Sequence, residues 1–145
     1  MIVPDVNLLL YAHDRGARQH VKAVAWWKNL MTGDRAVGLP WAVLLGFLRI
    51  ATNPTVLGNP LPVVSACSLV RSWLAQPPAG ILLPGERHAA ILLGLLESVG
   101  TAGNLTTDAH LAALAIEHQA ELHSTDADFV RFPGLKWQNP LASRG

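Results

Sequence analysis

The 145-residue sequence predicts an α/β fold, with a mostly parallel sheet covered by helices on both faces in three layers. Two observations carry this. Short apolar runs alternate with segments of helical periodicity, and the helical segments end in Gly, Asn or Pro signals. Strands alternating with helices form parallel sheets joined by right-handed crossovers. In such sheets the loops at the carboxyl ends of strands build the binding crevice, so acids just after strands or at helix starts carry the functional question.

In chain order, Ile2-Val3 is a short β-branched start that ends at Asp5, and the apolar run Leu8 to Ala12 reads as a buried strand turning into a helix. His20 to Met31 repeats apolar residues at helical spacing and is stopped by Gly33-Asp34. Pro40 suits the first turn of a helix from about Trp41 to Thr52, which Asn53-Pro54 ends. Pro54 to Pro62 is a loop, followed by a helix over about Val63 to Ala75 that Pro77-Pro78 closes. Ile81-Leu82-Leu83 predicts a strand, Glu86 to Val99 a helix, and Gly100 to Gly103 a turn. Thr106 or Thr107 is placed to cap a helix from about Asp108 to Gln119, which feeds a strand over Glu121 to Ser124. A last strand is expected around Leu135 to Trp137. Trp26, Trp27, Trp41, Trp73 and Trp137 read as core or subunit contacts before they read as base-stacking groups.

The length is that of one ordinary domain, 1–145, able to bury a core without metal or disulfide staples. Apolar residues make up 50% and charged residues 14% of the chain, which excludes disorder and suggests surface that a partner or a second copy covers. The formal charge of +1 leaves no broad basic footprint, so any phosphate contact is local. Arg15, Arg18 and Arg49 are the arginines that either steer a phosphate backbone or are solvated surface charge. The single Cys67, the missing signal-peptide pattern and an apolar run broken at Pro40 fit a soluble, cytoplasmic protein with no membrane span. The six histidines are scattered, and no Gly-x-Ser-x-Gly elbow supports a serine hydrolase.

Of ten acidic residues, four stand at strand–helix junctions: Asp5, Asp108, Asp126 and Asp128. A carboxylate beside a packed core is costly unless something compensates it. Asp5 either caps the first helix or faces a cation. Asp108 sits where a helix dipole favours an ionised carboxylate. Asp126 and Asp128 follow a strand two residues apart, with Ser124 and Thr125 able to orient them. At the mouth of one sheet, such acids suit oxygen ligation of Mg²⁺ or Mn²⁺, hard cations that keep several waters.

Ile2-Val3-Pro4-Asp5-Val6-Asn7, Thr107-Asp108-Ala109-His110-Leu111-Ala112-Ala113-Leu114-Ala115 and Ser124-Thr125-Asp126-Ala127-Asp128-Phe129 resemble, in order, the acidic motifs of VapC-type PIN-domain ribonucleases. That resemblance spans nearly the whole chain. It implies a Mg²⁺-dependent endoribonuclease acting on RNA, a homodimer, and inhibition by a cognate VapB-like antitoxin. It assigns Asp5, Asp108 and Asp126 as metal ligands and catalytic acids, and Asp128 as support for its loop. Asn7, Asn104 and Thr107 lie beside these acids, where they either support the site or cap helices.

The sequence departs from the family pattern at one place. Gly46 stands where many PIN domains carry a Glu, and no acid lies between Asp34 and Glu86. The site is then either short of one carboxylate, binding metal more weakly, or part of a module that binds RNA or antitoxin without cutting. A phosphotransfer domain with Asp5 as nucleophile is a third class, disfavoured because an Asp-x-Asp start would be needed and the partner position is Asn7.

Overall fold

The computed structural model describes residues 1–142. Its elements are β1 (Ile2–Pro4), α1 (Val6–His13), α2 (His20–Met31), β2 (Val37–Pro40), α3 (Trp41–Ala51), α4 (Val63–Leu74), β3 (Ala79–Leu82), α5 (His88–Val99), α6 (Thr106–Glu117), β4 (Glu121–His123) and β5 (Lys136–Gln138). Short 3₁₀ turns at Gly103–Leu105 and Ala127–Arg131 complete it.

The strands form one five-stranded sheet in the order β3-β2-β1-β4-β5, and every pairing is parallel. In its centre, Ile2, Val3 and Pro4 face Glu121, Leu122 and His123. The chain steps outward from β1 to β2 to β3, then returns to place β4 on the other side of β1. Right-handed crossovers therefore lay α1 to α4 on one face and α5 with α6 on the other. Matching contacts are present, with α1 on α2 and α3, α3 on α4, and α5 on α6.

Burial explains each element. Leu8 and Leu9 of α1, Val43, Leu44 and Phe47 of α3, and Ala112 to Leu114 of α6 are fully enclosed against the sheet residues Val3, Leu39 and Leu122. Trp27, Phe47 and Trp73 pack edge to face between α2, α3 and α4, an arrangement that rings favour. Trp26, Trp27 and Trp73 are core residues, whereas Trp41 is 48% exposed. No helix of the described residues is long and apolar enough to cross a membrane.

The structure departs from the sequence expectations in three places. Leu8 to Ala12 lies wholly in α1, because only Ile2–Pro4 pairs with neighbouring strands. Val37–Pro40 forms the unforeseen strand β2, and Pro40 is its last residue, extended at φ −70° and ψ 150°, directly before α3. Neither Thr106 nor Thr107 caps α6: the cap position is Leu105, and the Thr106 hydroxyl donates instead to the Gly103 carbonyl at 2.9 Å.

Candidate active site

The direction of winding reverses between β1 and β4, and the crevice at such a reversal is where open α/β sheets place their sites. Asp5 follows β1 and Ser124 to Asp126 follow β4, so both loops open at that point. The backbone N–H of Asp5 donates to the His123 carbonyl at 2.9 Å, extending the ladder one residue past the strands. Asp5 is thereby held at the sheet's rim.

Asp5 is 5% exposed. One carboxylate oxygen accepts the N–H of Val6 at 2.7 Å, the helix cap of α1, and the other accepts the Ser124 hydroxyl at 2.7 Å. Both readings of Asp5, cap and buried site carboxylate, are thus compatible. Burial pushes its pKa up, the bonds from Ser124 and Val6 pull it down, and the charge of Asp126 pushes it up again.

Asp108 lies in the first turn of α6. Its pKa is raised to about 6, first by burial and then by the negative charges of Asp5, Asp126 and Asp128. Carboxylates from three distant segments are therefore close enough for Asp5, Asp126 and Asp128 to act on Asp108, and for Asp126 to act on Asp5. Burial and like charge thus act in the same direction on Asp108.

Ser124 is fully buried and links two of these loops. Its oxygen donates to Asp5 and accepts the backbone N–H of Asp126 at 3.0 Å. The Asp126 carboxylate accepts the N–H of Asp128 at 2.9 Å, starting the 3₁₀ turn that carries the buried Phe129. Asp128 is exposed and lies 3.8 Å from the Arg131 guanidinium. The sequence pointed to Ser124 only as an orienting group for Asp126 and Asp128. Its bond to Asp5 spans 119 residues and left no local signal.

Asn7 is half-buried in the first turn of α1, and Asn104 and Thr107 are exposed near the start of α6. Arg15, Arg18 and Arg49 are exposed. Gly46 faces the site's flank, since a Cβ placed there would lie 3.4 Å from Cγ2 of Val6, the neighbour of Asp5.

The donors here are all oxygen and all anionic, the chemistry that hard divalent cations select. Among the described residues, no three His, Cys, Asp or Glu side chains are already grouped to hold a metal ion. The fit is therefore one of charge and donor type, with the carboxylates gathered around the crevice rather than drawn into a finished coordination sphere.

Comparisons with known proteins agree on the kind of fold. The model of the PIN domain family matches residues 2–135. The chain is 53% identical over 141 residues to Ribonuclease VapC33 of Mycobacterium tuberculosis, covering 97% of this chain and 99% of that protein. It is 44% identical over 142 residues to Ribonuclease VapC37 of the same organism, with 98% and 99% covered. Among solved structures, VapBC2 of Rickettsia felis bound to a promoter DNA fragment aligns with a TM-score of 0.68 at 19% identity, covering 96% of this chain and 98% of that one. Mycobacterium tuberculosis VapC20, a sarcin-ricin loop cleaving toxin, aligns with a TM-score of 0.65 at 14% identity, with 94% and 99% covered. At those identities the structural likeness is one of fold.

Proposed function

This chain belongs to the PIN-domain family and, within it, to the VapC ribonucleases, and from that premise we propose that it is a Mg²⁺-dependent endoribonuclease, the toxin of a toxin–antitoxin pair, that hydrolyses RNA phosphodiester bonds. What carries the metal dependence is the crowding of carboxylates at the crevice between β1 and β4: Ser124 and Val6 hold the buried Asp5 there, and burial with the nearby charges of Asp5, Asp126 and Asp128 raises the pKa of Asp108 to about 6. A divalent cation relieves that crowding where otherwise a proton must.

Asp5, Asp108 and Asp126 are the residues that would hold Mg²⁺ or Mn²⁺. When bound, such an ion lowers the pKa of a water and neutralises charge developing on the scissile phosphate. Ser124 holds Asp5 through its hydroxyl and the Asp126 loop through its oxygen, so two of the three carboxylates are oriented before any substrate arrives. Asn7, Asn104 and Thr107 stand beside these acids to hold a carboxylate or a phosphate oxygen. The exposed guanidiniums of Arg15, Arg18 and Arg49 provide local cations for the RNA backbone in a chain whose net charge is only +1.

The partner reading is a VapB-like antitoxin, supported by relatives solved as VapBC complexes from Rickettsia felis and Haemophilus influenzae. A homodimer is supported by apolar side chains left uncovered on the helices: Trp41 and Leu45 of α3, Val63 and Val64 of α4, and Leu93 of α5 are each 48% to 77% exposed. Light scattering of the purified chain reads that state directly.

Gly46 favours one second reading, a PIN module that binds RNA or antitoxin but cuts poorly, because the flank beside Val6 and Asp5 carries no acid. Incubating the purified chain with RNA, with Mg²⁺ or with EDTA, separates the two. The nuclease reading expects cleavage that needs Mg²⁺ and disappears in Asp5→Asn and in Asp108→Asn. RNA binding without cleavage at any Mg²⁺ concentration selects the module.

A further inference from the structure

We propose a second binding site away from the aspartates: a cavity at the far end of α1 that takes one unpaired nucleotide of the RNA and prefers guanine. The inference rests on the nuclease reading for the identity of its polymer. The cavity holds about 610 Å³ and is lined on one side by His13, Asp14 and Arg15 and on the other by Asn59 and Leu61 of the α3–α4 loop. That volume lies within the range of small-molecule sites, roughly 300–1,000 Å³.

The walls are built before any ligand arrives. His13 ends α1, and its Nδ1 donates to the Leu9 carbonyl at 2.8 Å, so the ring has only Nε2 left to offer. Phe47 and Trp73 pack against the ring with centroids 5.7 and 5.2 Å away, fixing its orientation. Burial and the neighbouring His20 push its pKa down, which keeps Nε2 an acceptor at neutral pH. Opposite, the loop is tied at both ends: Asn53 accepts the N–H and hydroxyl of Thr55, and Leu61 N–H donates to the Ala51 carbonyl at 2.8 Å.

The chemistry of the lining selects the occupant. One oxygen of the Asp14 carboxylate accepts the Gly16 N–H at 3.0 Å, which leaves about three of the four lone-pair sites of the carboxylate, on both oxygens, for a ligand. With Nε2 of His13 and the Asn59 amide, the wall is rich in acceptors. Guanine is the base whose Watson–Crick edge presents two N–H donors side by side, the match for a carboxylate, and unpaired bases are read on that edge. The apolar recess lined by Leu10 and Leu57 that adjoins the cavity holds only about 10 Å³, too little for a ring, so recognition of the base rests on its polar edge. Among the described residues, Arg15 is the one arginine or lysine of the lining, which suits the one charge of a phosphodiester better than the several charges of a free nucleotide. The eight residues of α1 span about 12 Å, so a few nucleotides of one strand reach from Asp5 to His13.

Fluorescence anisotropy in EDTA, where nothing is cut, tests this with labelled uridine oligomers carrying a single central G, A or C, or none. The G-bearing oligomer is expected to bind about tenfold more tightly than the other three, the discrimination typical of a bidentate base contact. Asp14→Asn keeps an acceptor for the Gly16 N–H and should reduce the preference below about twofold. Asn59→Ala, on the opposite wall, should weaken it as well, and Arg15→Gln should weaken all four oligomers alike. Equal affinities, a G preference that survives both Asp14→Asn and Asn59→Ala, or free GMP binding as tightly as the oligomer overturns the site. Flat anisotropy beside intact Mg²⁺-dependent cleavage removes this site alone, whereas a G preference without cleavage at any Mg²⁺ concentration removes the nuclease reading instead.

Discussion

The hydroxyl of Ser124 donates to the carboxylate of Asp5 across 2.7 Å, joining the end of β4 to the end of β1 inside a buried rim. Asp5 has lost nearly all its water, so this bond is one of two protein contacts that favour its ionised form. Ser124→Ala leaves a buried carboxylate half satisfied. The expected loss is about 1–3 kcal/mol of stability at pH 7, read by urea denaturation. The cost should shrink in an Asp5→Asn background, because the charge that needs the hydroxyl is gone. Equal costs in both backgrounds would assign Ser124 to its Asp126 contact alone.

Asp108 gives a pH dependence with a definite sign. Its folded pKa of about 6 lies above the ordinary carboxylate value of 3.8, so between those values the folded chain binds more protons than the unfolded one. That contribution is fully present below the unfolded value and is lost as pH rises through the folded one. Without metal, Asp108→Asn should therefore melt higher than the parent at pH 7 and equally at pH 4. Asp108 is half-buried, so solvent screening leaves a difference of about 1 kcal/mol, a few degrees in Tm. A variant that melts lower at pH 7 would mean that Asp108 is already paired in the folded chain.

How much of this was readable beforehand differs by element. The alternation of strands and helices was legible where a helix buries a stripe at helical spacing, as α2 does with Ala23, Trp26, Trp27 and Met31. Strand β2 was not, since Val37–Pro40 runs without interruption into the equally apolar α3, and a short apolar run has no period of its own. Leu8 and Leu9 misled for the same reason. The acids stood out because a carboxylate after a strand has few structural excuses. Ser124 did not stand out, because a serine closing a strand is ordinary until its partner, Asp5, is known. The cavity beside His13 is assembled from the end of α1 and a proline-rich loop, a pairing that only the packing of α1 on α3 creates.

A proton and a cation compete for the same carboxylate oxygens, so the proposed Mg²⁺ site inherits the titration of Asp108. With a pKa of about 6, that side chain is mostly protonated at pH 5.5 and almost wholly ionised at pH 7.5. Half-saturating Mg²⁺ for RNA cleavage should then be about fourfold higher at the lower pH. Asp108→Asn cannot report this shift, because cleavage is expected to vanish. Ser124→Ala should move the midpoint further, since Asp5 loses a bond that favours its charge. A midpoint that ignores pH would place the working metal away from Asp108.

Gly46 permits the last test to separate folding from chemistry. It sits inside α3, where glycine costs about 0.5–1 kcal/mol relative to alanine, and its φ does not require glycine. A Cβ there would make ordinary contact with Val6 at 3.4 Å, so Gly46→Ala should stabilise the chain by about that amount without changing the Mg²⁺ requirement. Gly46→Glu carries a carboxylate to the same flank. It should lower the half-saturating Mg²⁺ for cleavage and, without metal, lower Tm, because it adds a like charge near Asp5 and Asp108. The two variants share the backbone gain and differ only in the charge, so their difference isolates it. If the glutamate changes neither Mg²⁺ dependence nor the metal-free Tm relative to the alanine, position 46 lies outside the reach of the acids and the missing carboxylate is irrelevant to how this chain works.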